Sequence, residues 1–88
     1  MSRKRSDAAP VLDDVPWSED ITDYDRDHLG LYMRLLDASG DGASDEEMCR
    51  VLLGIDSSRE PERAKSVLAS HLRRARWMTE HGYRQLQG

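Results

Sequence analysis

Asp37, Ser39, Asp41 and Gly42 stand at positions 1, 3, 5 and 6 of a calcium loop, a spacing that could wrap oxygen ligands around a hard cation. Position 12, which must supply a bidentate Glu, is Met48; Glu47 is one residue out of register, and position 8 is Ser44 rather than an aliphatic residue. Ser44 and Glu47 instead make the S-x-x-E pattern that opens a helix, so no calcium site is expected. His28 has no Cys or carboxylate at ligand spacing on its face and reads as a core histidine bonded to a backbone carbonyl. Cys49 is the single cysteine, which excludes an internal disulfide and a thiolate zinc site, and nothing near it in sequence would lower its pKa. With neither a nucleophile–base pair nor a metal-ligand cluster, the sequence predicts no catalytic residues, no metal and no cofactor, and therefore a binding protein rather than an enzyme.

Charge is the chemistry that remains. Of 88 residues, 34% are charged, for a net of −4. Asp7 to Glu47 holds thirteen carboxylates against Arg26 and Arg34, whereas Met48 to Gly88 carries a net of +4 and Arg3, Lys4 and Arg5 add +3. A net acidic domain repels phosphate at long range, because non-specific nucleic-acid affinity comes from cations displacing counterions. Any DNA contact would have to be local. A chain of this length supports one domain, with net stability of roughly 5–10 kcal/mol. Met1 to Arg5 lacks a following apolar region and no stretch approaches a membrane span, so a cytoplasmic protein is expected.

The elements that must position these charges are helical. Residues 1–14 read as a flexible N-terminal tail and 15–88 as a single helical domain. Val15, Trp17 and Ile21, spaced around Pro16, predict an extended arm whose Trp17 either packs on the domain or faces a partner. Thr22 is a good N-cap for a helix from Asp23 to about Ala38, whose apolar arc is wide enough to pack on two neighbours. A second helix over Asp45–Leu53 places Met48, Val51, Leu52 and Ile55 on one stripe, with Gly54 as a left-handed C-cap and Leu53 off the stripe. After a polar connection, Pro61 sits in the first turn of a third helix reaching the neighbourhood of His81. Ala64, Val67, Leu68, His71, Leu72, Ala75 and Met78 form its apolar face. Arg63, Ser66, Ser70, Arg73 and Arg74 lie opposite, with Lys65 and Arg76 on a flank. Trp77 falls on the polar side, either covered by the arm or the C-terminal segment or used as a contact; Tyr83 is placed to pack back on Met78 after Gly82.

The fold class expected is all-α: a small helical domain, an extended-turn variant of the helix-turn-helix with an N-terminal arm. Tyr24-Asp25-x-x-His28-Leu29, Tyr32-x-Arg34-Leu35-Leu36-Asp37-Ala38, Leu52-Leu53-Gly54-Ile55-Asp56 and Arg74 to Arg84 carry a resemblance over about Val15 to Leu86. On these residues the chain resembles a family of small regulatory domains encoded on proteobacterial conjugative elements. Within it the free-standing acidic chain is similar to the QseM-like antiactivators, because it leaves no room for a partner domain. That resemblance implies sequestration of a transcriptional activator through its non-DNA-binding domain, with a quorum-sensing LuxR-type regulator as a second candidate partner. Excision and conjugative transfer of the mobile element would be repressed without DNA binding. Asp27, Arg34, Leu53, Trp77 and Tyr83 are then the expected partner contacts. The alternative is a DNA-binding transcriptional repressor using Arg63, Arg73, Arg74 and Arg76 on the third helix.

Overall fold

The computed structural model describes residues 11–82. It is all-α, as expected, with four helices joined by short turns. Helix α1 spans Asp23–Asp27, α2 Leu29–Gly40, α3 Asp45–Met48 and α4 Pro61–Trp77; π-helical turns, Cys49–Leu53 and Met78–Gly82, continue α3 and α4. No helix among the described residues is long and apolar enough to cross a membrane.

Local chemistry sets most of the helix ends. Thr22 Oγ1 accepts from the Asp25 N–H at 3.1 Å while Asp25 Oδ2 accepts from the Thr22 N–H at 2.9 Å, a reciprocal capping box that starts α1. Ser44 Oγ accepts from the Glu47 N–H at 3.1 Å and starts α3. Gly54 closes the first π turn at φ +71°, a conformation that costs a Cβ-bearing residue energy. Asp56 then folds the connection: its Oδ1 accepts from the Ser58 N–H and hydroxyl, and its carbonyl from Arg59 and Glu60. Pro61 enters α4 at the first turn, where a missing N–H removes no intrahelical bond.

Two expectations about the helices are corrected. The helix predicted from Asp23 to Ala38 is two helices, because His28 turns out of it at φ −119°, ψ 18°. Its Nδ1–H donates to the Tyr24 carbonyl at 2.7 Å, the same oxygen that accepts the His28 backbone N–H at 3.0 Å, a side-chain competition that loosens a helical turn. The stripe on the second helix is also different. An i→i+5 turn needs one residue more than an α turn to come round. Leu53 therefore reaches the core at 8% exposure, while Val51 is left 62% exposed.

The main core packs Leu35 of α2, Met48, Cys49, Leu53 and Ile55 from α3 and its turn, and Ala64, Val67, Leu68 and Leu72 of α4. Tyr32, Ala75 and Met78 form a second centre, with Ile21, Leu29, Leu36 and Trp77 around it. Every residue predicted for the apolar face of the third helix is buried. Cys49 is buried too; its thiol donates to the Ala64 carbonyl at 3.5 Å, and burial, then the charge of Asp45, pushes its pKa up and away from reactivity.

Candidate nucleic-acid interface

Helix α4 divides into three strips. Its buried strip faces α2 and α3. A second strip, Arg63, Ser70, Arg74 and Trp77, is crossed by the arm, which runs along α4 in the same direction. Asp13 Oδ1 accepts from Arg63 Nε at 2.9 Å, the Val15 N–H donates to Ser70 Oγ at 3.3 Å, and Trp17 meets Trp77 edge-on with ring centroids 6.0 Å apart. The arm extends further back than expected, since Val11 packs on the main core and the Leu12 N–H donates to the Tyr24 hydroxyl at 3.1 Å.

Arg74 fastens the arm to the helices. Its side chain and that of Asp25 are both fully buried, at 0% exposure. Nη2 donates to Asp25 Oδ2 at 2.6 Å and to the Asp20 carbonyl at 3.0 Å; Nε donates to Asp25 Oδ1 at 3.0 Å; Nη1 donates to the Ser18 carbonyl at 2.6 Å. The guanidinium lies against both indoles, 3.9 Å from the Trp77 ring centroid and 4.7 Å from that of Trp17. Asp25 also accepts from the Tyr32 hydroxyl at 2.8 Å. Burial pushes the Asp25 carboxyl up, but the bonds from Arg74, Thr22 and Tyr32 outweigh it and hold the pKa below the ordinary value. Burial first, and then Asp25, push the Tyr32 phenol up. Arg74, expected on the candidate DNA face, is therefore a structural residue, with its donors spent on the arm and on Asp25 rather than aimed at solvent.

The third strip is open. Lys65, Ser66, Ala69, Arg73 and Arg76 are all exposed, with Glu62 and Glu80 exposed at its two ends. At 100° per residue these positions fall in an arc of about 100°, and Lys65 to Arg76 extends about 16 Å along the axis. The result is a ridge with the small Ala69 at its centre, Lys65 and Arg76 toward one margin, and Arg73 and the small Ser66 toward the arm-side margin. Arg73 stands at the arm side of the ridge, its guanidinium 6.0 Å from the Trp17 ring centroid. Arg63 lies off the ridge, paired with Asp13 and with Glu60 at 3.3 Å. Of the expected partner contacts, Asp27 and Arg34 are exposed, Leu53 is in the core, Trp77 is half-buried beneath the arm, and Tyr83 lies outside the described residues.

The family model for the RovC DNA-binding domain, described as a T6SS transcription factor DNA-binding domain, matches residues 4–87. The chain belongs to this family. No curated protein matches it. Membership in the RovC DNA-binding domain family corrects the functional expectation: a QseM-like antiactivator that does not bind DNA, with activator and LuxR-type proteins as its partners, is overturned in favour of a DNA-binding transcription-factor domain. Net charge misled because it averages over the whole chain, whereas at physiological salt a phosphate interacts mainly with charges within about 8 Å.

A second buried network lies beneath the arm. His71 is fully buried, and its Nδ1–H donates to the Val67 carbonyl at 2.8 Å, which leaves Nε2 to accept from the Tyr24 hydroxyl. Burial depresses the His71 pKa, the Val67 bond only partly offsetting it. The folded state therefore holds His71 neutral while the unfolded chain protonates near pH 6.5. Stability is expected to be level at neutral pH and to fall as pH drops below about 6.5. Thermal melts of His71→Gln should lack that acid-side loss; an unchanged pH profile in the variant would assign the loss to another group.

Proposed function

We propose that this chain is the DNA-reading module of a transcription regulator, and that it seats the Lys65 to Arg76 ridge of α4 in the major groove of duplex DNA. The observation that carries this reading is the ridge itself: the strip of α4 that neither core nor arm covers has the small Ala69 at its centre, where a groove floor would approach, and Lys65, Arg76 and Arg73 toward its margins. The major groove is about 12 Å wide and admits one helix. Lys65, Arg73 and Arg76 reach phosphates or guanine edges, and Ala69 offers a methyl to a thymine. Glu62 and Glu80 limit how far the helix can slide along the groove, because either carboxylate would oppose a phosphate. Family membership supports the same reading.

Selection from a pool of randomised duplexes, followed by salt titration of the enriched sequence, tests it. Affinity should fall steeply with salt, with a log–log slope of about −2 to −4 for three to four phosphate contacts. Failure to enrich any duplex, or binding indifferent to salt, would overturn the assignment.

A further inference from the structure

The arm brings carboxylates to the side of a helix proposed to bind a polyanion. Asp13 is 72% exposed and bonds Arg63 at 2.9 Å, and Asp14 lines a cleft with Val15, Trp17, Ser70 and Arg73. Neither acid belongs to the buried fastening, which begins at Ser18 with the Arg74 bonds. The arm is thus held on both sides of the two acids, by Val11 and Leu12 before them and from the buried Val15 to Asp20 after them, while Asp13 itself meets α4 only at an exposed ion pair and Asp14 only lines a shallow cleft. An exposed ion pair is weak, and a DNA phosphate offers the same charge and the same acceptor oxygens to Arg63.

We propose that Arg63 is a phosphate-binding position at the edge of the DNA face and that Asp13, with the charge of Asp14 next to it, occupies this edge in the free protein as a stand-in for phosphate. DNA displaces the Asp13 carboxylate from Arg63 and turns both acidic side chains away from α4, while the arm backbone stays fastened on either side of them. The acidic arm is then a built-in competitor that suppresses non-specific binding: only a duplex making the full set of ridge contacts repays its displacement. This rests on the ridge reading above.

The test measures binding of the full chain to a short mixed-sequence duplex at low salt by fluorescence anisotropy. Asp13→Asn/Asp14→Asn should bind about fivefold or more tighter than the unaltered protein. Asp27→Asn/Asp37→Asn makes the same change in net charge at exposed positions on α1 and α2 and should gain less than about twofold. In an Arg63→Gln background the gain from the arm substitutions should shrink toward that of the control pair. Equal gains from both pairs, or a gain that persists undiminished without Arg63, would overturn the competitor role and leave the ridge reading standing. No binding by any of these proteins would overturn the ridge reading, and the competitor with it.

Discussion

Arg74→Met is expected to remove a large share of the stability of this domain. The substitution keeps much of the volume against Trp17 and Trp77 but leaves the Asp25 carboxylate buried at 0% exposure without its cation. Breaking one side of a buried ion pair costs about 3–5 kcal/mol, because the remaining charge loses its partner and cannot regain water. Set against a total of roughly 5–10 kcal/mol, that is about a third of the margin or more. The melting temperature should drop by more than about 12 °C, given about 4 °C or more per kcal/mol for a domain of this size. Arg74→Lys should fall in between: an ammonium restores charge but cannot bond Asp25, Ser18 and Asp20 together from a planar fork. Adding Asp25→Asn to Arg74→Met should cost less than the sum of the two single losses, since the second change removes the charge stranded by the first. A melt of Arg74→Met within a few degrees of the unaltered protein would show that the pair does not hold the arm. The acid side carries the same signature. Because the Asp25 carboxyl is held below its ordinary value, its stabilisation is complete above the unfolded value near pH 4 and is lost as pH falls through the folded one, well below the window set by His71.

The contrast between Arg74 and its neighbours shows where a helical wheel stops being informative. Features fixed within one turn of chain were legible: the Thr22 and Ser44 caps, the left-handed Gly54, Pro61 at the head of α4, and the apolar face from Ala64 to Met78. Arg74 looked like a surface cation because the wheel places it opposite that face, and only the arm folding across turns that position into an interior. A signal was present in the sequence: Asp25 stands seven residues before Tyr32 and four before Leu29, on the apolar arc, where a carboxylate requires a cation. The π turn under Leu53 had no comparable signal, since it depends on backbone bonds rather than on residue type, and the His28 imidazole that bonds the Tyr24 carbonyl does not by itself say that the helix opens there. Function was misjudged for a related reason. The acidic residues from Asp13 to Glu47 are spread over the arm, α1, α2, the turn after it and the start of α3, whereas the face that matters for a groove is one strip of α4.

Arg73→Ala and Arg76→Ala should each weaken duplex binding about tenfold or more while leaving the melting temperature within a few degrees, because both side chains are exposed and neither fastens the core. Ala69→Glu should be more damaging than either: it places a carboxylate and added bulk at the centre of the ridge, where the groove floor must approach, and binding should fall below detection at moderate salt. The two arginines are separable by salt. A residue held by a phosphate lowers affinity for every duplex and reduces the log–log slope by about 1 when removed; one that reads a guanine edge relaxes preference among sequences at nearly constant slope. Arg73 is the better candidate for base reading, since Trp17 stands beside its guanidinium and restrains it before DNA arrives, which lowers the entropy lost on binding. Arg76, near the far end of the ridge and one turn from Glu80, is the better candidate for a phosphate. Arg74→Met belongs in the same series as a warning: it too should abolish binding, but together with the fold, so a loss of affinity counts as interface only where the melt is unchanged. Unaltered affinity in Arg73→Ala, Arg76→Ala and Ala69→Glu would move the DNA to another face of the domain.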